Sequence, residues 1–219
     1  MIIPERMSVY INSLDVGNGA FLDELEQEAL RDDVPIIRQD MQSFLKVLLA
    51  MHQPKQILEV GTAVGFSALL MAANTEMCHI TTIEKYEKRI PVAKENFQKS
   101  GMGHRITLLE GDALAIMQEL TGTYDMIFMD AAKGQYKLFY DMIIDKLRVD
   151  GLLISDNILY KGMVAHDDFV IRRKKTIVKR MRNYLDYICN CDYLSTSLIP
   201  IGDGVALSYK NNKRGDINE

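Results

Sequence analysis

Three short apolar runs in this chain stop abruptly on residues that can hold a ligand: Ile57-Leu58-Glu59-Val60-Gly61-Thr62, Tyr124-Asp125-Met126-Ile127-Phe128-Met129-Asp130 and Gly151-Leu152-Leu153-Ile154-Ser155-Asp156-Asn157. Each is the length of a buried strand, and open α/β sheets bind their ligands at the carboxyl ends of strands. Asp130, Asp156 and Asn157 offer two carboxylates and an amide. Oxygen donors of that kind suit a hard divalent cation, Mg²⁺ first and Mn²⁺ as the alternative. Gly61 lets a cofactor lie close to the backbone. The chemistry this suggests is a metal-assisted transfer reaction, set against the simpler reading that such residues cap the helices that follow strands.

The elements that must position these residues follow from periodicity. Before Ile57 apolar residues recur at helical spacing over 5–14, 21–30 and 38–51, punctuated by Gly17, Gly19, Pro35 and Pro54, which predicts a helical cap. After it the pattern alternates: strand 57–61, helix 65–73, strand 79–83, helix 87–100, strand 105–110, helix 113–120, strand 124–130, helix 135–147, strand 151–155, then a long helix 168–189. Alternation of this kind predicts a doubly wound parallel sheet with amphipathic crossover helices. Two further β-like runs, 193–199 and 204–209, flank Pro200-Ile201-Gly202-Asp203-Gly204 and must pair antiparallel across so short a turn. The expectation is an α/β, Rossmann-like, seven-stranded, mostly parallel sheet with an antiparallel C-terminal hairpin strand. One domain is expected over 1–219, comprising a cap to residue 54, a core over 55–210 and a fraying tail over 211–219.

Composition narrows the class. There are 219 residues, 47% of them hydrophobic, which suffices for a sizeable core. No basic and apolar leader opens the chain and no window approaches a membrane span, so a soluble cytosolic protein with no membrane partner is expected. Cys78, Cys189 and Cys191 are read as reduced thiols, since no further Cys/His cluster completes a zinc site. The net charge of −4 conceals an asymmetry. Between Lys161 and Arg182 stand Lys161, Arg172, Arg173, Lys174, Lys175, Lys179, Arg180 and Arg182 against Asp167 and Asp168 alone.

Glu59-Val60-Gly61-Thr62-Ala63-Val64-Gly65 lacks the third glycine of the dinucleotide fingerprint, which argues against nicotinamide or flavin. Glu84 closes the second strand, where an acid can accept both hydroxyls of a ribose. Gly111-Asp112-Ala113 closes the third, where an adenine would lie.

With Ser67, Asp130-Ala131-Ala132-Lys133, Asp156-Asn157 and Pro200-Ile201-Gly202-Asp203-Gly204 added, the chain from about residue 34 to 209 resembles the metal-dependent, S-adenosylmethionine (SAM)-dependent class I O-methyltransferases that include catechol and caffeoyl-coenzyme A O-methyltransferases. The resemblance implies that Ile37 (through its backbone), Glu59, Gly61, Thr62 and Ser67 contact the methionine part of SAM, Glu84 the ribose, and Asp112 and Ala113 the adenine. It implies that Asp130, Asp156 and Asn157 bind the metal, with Asp130 also bordering the cofactor. Lys133, together with Asp130, would be catalytic, as general base or electrostatic aid; the alternative is a surface lysine at a helix start.

A cation that grips two adjacent oxygens accounts for catechol substrates, and equally for a 5-hydroxyuracil, whose C5 hydroxyl neighbours the C4 carbonyl. The segment Ile171–Tyr184 resembles the bacterial branch that methylates 5-hydroxyuridine at the tRNA wobble position. This favours a tRNA anticodon loop as partner, bound through Arg172, Arg173, Lys174, Lys175, Lys179, Arg180 and Arg182. A charge run is by default a solvated helix face. Tyr136 and Tyr160 are candidate stacking platforms, or packing residues. The expected activity is methylation of wobble 5-hydroxyuridine to 5-methoxyuridine, with a small catechol or caffeoyl-like phenol as the alternative acceptor and a non-catalytic RNA-binding relative as the alternative of another class. By resemblance the chain is expected to be a homodimer.

Overall fold

The computed structural model describes residues 4–212 and divides into two compact units, one over Glu5–Ile116 and one from Met117 onward. The first opens with helices α1 (Glu5–Asn12), α2 (Ala20–Arg31) and α3 (Gln39–His52), the expected cap. Strands β1 (Gln56–Val60), β2 (His79–Glu84) and β3 (Ile106–Glu110) then pair in parallel, with Ile57 opposite Ile80 and Ile80 opposite Ile106. Helices α4 (Phe66–Ala73), α5 (Ile90–Lys99) and α6 (Ala113–Glu119) follow the three strands. Crossover helices were expected to be amphipathic, but α4 is buried on every side from Phe66 to Met71. Its sequence carries no charge, so nothing requires a wet face.

The second unit contains β4 (Tyr124–Met129), α7 (Tyr136–Ile143), β5 (Leu147–Ser155), α8 (Lys175–Cys189), β6 (Leu194–Ile199) and β7 (Val205–Lys210). β4 pairs parallel with β5, while β7 runs antiparallel to both β5 and β6. The predicted hairpin is present, with β6 on the edge. Across the sheet the strand order is β3-β2-β1-β4-β5-β7-β6, a seven-stranded, mostly parallel Rossmann-like arrangement. No helix among the described residues is long and apolar enough to cross a membrane.

Two boundaries differ from the sequence reading. The helix expected over 135–147 is confined to α7, between 3-10 turns at Lys133–Gln135 and Ile144–Lys146, and β5 starts at Leu147. Leu147 is buried opposite Tyr124, then Arg148, Val149 and Asp150 bulge outward before pairing resumes at Met126–Leu152. Apolar spacing alone does not separate a 3-10 turn from the end of an α-helix. The helix expected over 168–189 begins only at Lys175, after separate 3-10 turns at Asp167–Phe169 and Arg172–Lys174. Four consecutive cations there oppose the positive end of the helix dipole, and no side chain caps the terminus. Of the expected tail, Asn211 is tied to β6, its N–H donating to Tyr193 O at 2.8 Å, and residues 213–219 lie outside the described residues.

A Cβ at Gly151 would fall 2.8 Å from Arg148 O and 3.0 Å from Asp125 O, both rigid backbone atoms. Gly151→Ala should therefore destabilise the protein by about 1–3 kcal/mol. A urea midpoint unchanged from wild type would contradict the tight β4–β5 packing.

Candidate active site

The loop after β1 is built on a chain of buried hydroxyls. Glu59 is fully buried, and its carboxylate accepts from Ser67 Oγ at 2.5 Å and from Thr82 Oγ1 at 2.5 Å. Because the single Thr82 proton goes to Glu59, the 2.6 Å contact between Thr82 and Thr62 has Thr62 as donor. Gly61 turns with φ 106°, and the N–H groups of Gly61 and Thr62 both donate to Ile83 O, at 3.0 and 3.2 Å. Gly65 has φ 88°, and a Cβ there would lie 2.5 Å from the Phe97 ring. Asn96, buried on α5, holds the loop from the other side by donating to Val64 O at 2.8 Å.

Glu84 is buried. Its Oε2 accepts from Ala63 N at 2.8 Å, and its Oε1 from Lys85 N and Tyr86 N at 2.9 and 2.8 Å. Three backbone donors fill most of about four acceptor positions on a carboxylate, so a ribose diol would share or displace one of them. Gly111 N donates to Glu84 O at 2.8 Å. Asp112 is exposed, accepts from Leu114 N at 3.0 Å as a cap for α6, and lies 3.7 Å from Lys85 Nζ. Ala113 begins α6 and is half-buried. Ile37 is in the core and its carbonyl accepts from Gln42 Nε2 at 2.9 Å. The structure thus gathers Glu59, Thr62 and Ser67 into one network, whereas Ile37 and Asp112 make their hydrogen bonds elsewhere. Thr82, Asn96 and Gln42 were missed in the sequence. Thr82 shares β2 with His79, Thr81 and Glu84, so nothing in the sequence set it apart.

In the second unit, Asp130 follows β4 and Asp156 follows β5. Asn157 takes a left-handed backbone at φ 58°, donates from Nδ2 to Asp130 Oδ1 at 3.4 Å, and from its N–H to Asp156 Oδ1 at 2.6 Å. Lys133 Nζ stands 3.7 Å from Asp130 Oδ1. The four residues predicted to act together do lie together. Neither carboxylate caps a helix: Ala132 precedes the 3-10 turn, which has no side-chain cap. The loop after Asn157 is fastened to the β6–β7 turn. Ile158 N donates to Gly204 O and Leu159 N to Asp203 O, both at 2.9 Å, while Lys161 N donates to Asp203 Oδ1 at 2.6 Å.

Burial lifts the Asp130 carboxyl above its usual range, against the pull of Lys133. Burial, then the neighbouring Asp130, pushes Asp156 up to about 7, with the Asn157 N–H and Lys133 opposing and Asp203 adding to the rise. Among the described residues no cluster of three or more His, Cys, Asp or Glu side chains forms a metal cage. A cation here would rest on two carboxylates and an amide oxygen. That donor set fits a hard divalent ion, and the raised carboxyls report negative charge that such an ion would relieve.

The candidate platforms separate. Tyr136 is buried and packs edge-on against Tyr184 at 5.6 Å, so it cannot stack a ligand. Burial, then Asp130 and Asp156, hold its phenol well above the usual range. Tyr160 is half-buried, with Lys174 Nζ 5.6 Å above its ring. Of the basic residues, Arg172, Arg173, Lys175 and Lys179 are exposed. Arg180 reaches Gly134 O at 3.4 Å, beside Lys133. Arg182 braces the preceding loop through Val164 O at 2.9 Å and Asp167 at 2.7 Å.

A Rossmann-like frame with a glycine loop after its first strand and acids at later strand ends defines the class of SAM-dependent methyltransferases. The family model described as O-methyltransferase matches residues 12–211. Caffeoyl-CoA O-methyltransferase 5 of Nicotiana tabacum is 32% identical, over 77% of this chain and 74% of that protein. A Staphylococcus aureus structure, provisionally assigned as a caffeoyl-CoA O-methyltransferase, superposes with a TM-score of 0.89 at 32% identity, covering 94% of this chain and 100% of that one. A Podospora anserina methyltransferase solved with S-adenosylhomocysteine (SAH) gives 0.86 at 26% identity, covering 97% and 99%. The chain belongs to the O-methyltransferase family and is a SAM-dependent O-methyltransferase.

Thr82→Val would leave Glu59 and Thr62 each short of a partner. It should cost about 1–3 kcal/mol of stability and weaken SAM binding in calorimetry; unaltered values for both would refute the network. A second expectation concerns pH. A carboxyl whose folded pKa exceeds its unfolded one destabilises progressively as pH rises between the two, here from about 4 to about 7 for Asp156. In chelator, Asp156→Asn should therefore raise the melting temperature most at pH 8, less at pH 5, and little near pH 4. Equal shifts at all three pH values would show that the carboxylates are not crowded.

Proposed function

We propose that the protein transfers the SAM methyl group to one hydroxyl of an acceptor bearing two adjacent oxygens. The observation that carries this is the grouping of Asp130, Asp156, Asn157 and Lys133. The first three would hold a divalent cation, which when bound supplies positive charge to favour the ionised hydroxyl and a fixed bearing for both oxygens. Lys133 adds charge on the same side, or takes the hydroxyl proton when itself neutral. The oxygen then displaces SAH in line, forming the C–O bond as the C–S bond breaks. The Glu59 network and Glu84 would fix the ends of the cofactor.

Among acceptors with that bite, a caffeoyl-type phenol is supported by the names of the curated relatives, and a small catechol offers the same pair of oxygens. A second reading, the 5-hydroxyl of wobble 5-hydroxyuridine in tRNA, draws on the charge of one surface. Exposed Arg172, Arg173, Lys175 and Lys179 form a cationic surface at the start of α8, whose Arg180 touches the Lys133 turn. Such a surface attracts phosphate, whether of an RNA backbone or of a coenzyme A tail. Exposed Tyr10, Ile11 and Leu14, in and just after α1, are the residues through which the proposed homodimer would pair.

The test is labelled SAM with a panel of catechols, caffeoyl-CoA and tRNA containing 5-hydroxyuridine, each with and without chelator. Label on phenols, lost in chelator, supports the first reading; label on tRNA alone supports the second. Full transfer in chelator would overturn the metal mechanism. If the acceptor is phosphate-bearing, reversing Arg172, Arg173, Lys174 and Lys175 to Glu should raise its KM about tenfold or more and flatten its salt dependence, with SAM affinity kept.

A further inference from the structure

The residues that set the separation of Asp130 and Asp156 are not the acids themselves. Tyr136 Oη lies 2.8 Å from Asp156 O and 3.2 Å from Met129 O. Met129 immediately precedes Asp130, and Met129 O also accepts from Asp156 N at 2.9 Å. A single buried hydroxyl therefore joins the ends of β4 and β5 at the two positions from which the carboxylates project. It does so from the first residue of α7, directly after the turn that begins with Lys133. The pin is rigid. Tyr136 is 1% exposed, and its ring is set edge-on to Tyr184, whose own hydroxyl is fixed at 2.6 Å to Ser155 Oγ.

Among the described residues the Asp156 N–Met129 O bond is the last backbone bond between the two chains at this end, and the two like charges just beyond it push them apart. A cation site requires its donors within a few tenths of an ångström of the right spacing, and groups that hold ligands in place typically contribute 10–100-fold in metal affinity. We infer that Tyr136 is a positioning residue: its hydroxyl, donated to the backbone carbonyls of Met129 and Asp156, holds Asp130 and Asp156 at the separation a divalent cation needs and keeps the Lys133 turn beside them. This rests on the metal reading proposed above. It gives the phenol a role distinct from stacking and from proton transfer.

Tyr136→Phe removes the hydroxyl and nothing else. Mn²⁺ binding to the purified protein, followed by electron paramagnetic resonance, should weaken about tenfold, with SAH affinity measured by calorimetry unchanged as proof of folding. Methyl transfer should fall at low metal and recover at saturating metal. Tyr140→Phe is the control, since it deletes a buried hydroxyl that bonds Tyr193 at 2.8 Å, away from the acids. It should leave Mn²⁺ affinity at the wild-type value. Equal weakening in both variants, or wild-type Mn²⁺ affinity in Tyr136→Phe, would overturn the inference. If the wild-type protein itself binds no Mn²⁺, the metal reading falls, and the inference with it.

Discussion

Two carboxylates at the ends of adjacent parallel strands repel each other, and the second compact unit is organised around that repulsion. Asp130 and Asp156 both sit where burial already penalises charge, and Asp130 makes Asp156 harder still to ionise. A fold selected for stability alone would place apolar or neutral groups there. Instead Lys133, the Asn157 amide and the Tyr136 hydroxyl surround the pair. None of the three cancels the excess charge. An arrangement that keeps two acids close and incompletely neutralised is poised for a ligand carrying more than one positive charge.

The first unit answers a different demand. Its loop after β1 must follow a cofactor closely, so it takes positive φ at Gly61, Ala63 and Gly65 and is held by hydrogen bonds from outside the loop. The buried Glu59 accepts two hydroxyls, Glu84 accepts three amides, and Asn96 secures the Val64 carbonyl. Rigidity before the ligand arrives reduces the ordering cost of binding it. The same acids that hold the loop are those the family resemblance assigns to the cofactor, so under the proposed function scaffold and recognition would share the same atoms.

Much of this was readable in the sequence, for physical reasons. Strands buried on both faces must be apolar, so runs such as Met126–Met129 stand out, and the acids that end them are conspicuous. The hairpin followed from the short Pro200–Gly204 connection. Other features have no local trace. The late start of α8 reflects cations facing a helix dipole, and the shortened α7 reflects 3-10 turns, neither of which alters apolar spacing. For Tyr136 the sequence left a stacking platform and a packing residue both open; only burial shows that it packs, with its hydroxyl facing the backbone. Thr82 and Asn96 contribute through partners more than twenty residues away, which no spacing rule reaches. Family membership came from motifs, whereas the acceptor depends on surface charge and loop shape that relatives at about one-third identity need not share.

The central claim is that Asp130, Asp156 and Asn157 form a divalent-cation site used in methyl transfer. Its most direct test is equilibrium Mn²⁺ binding to the chelator-stripped protein, compared with an Asp130→Ala, Asp156→Ala double variant that still binds SAH. The account predicts one Mn²⁺ per chain in the wild type, displaced by Mg²⁺, and none at that site in the variant. Equal Mn²⁺ binding by both proteins would contradict it.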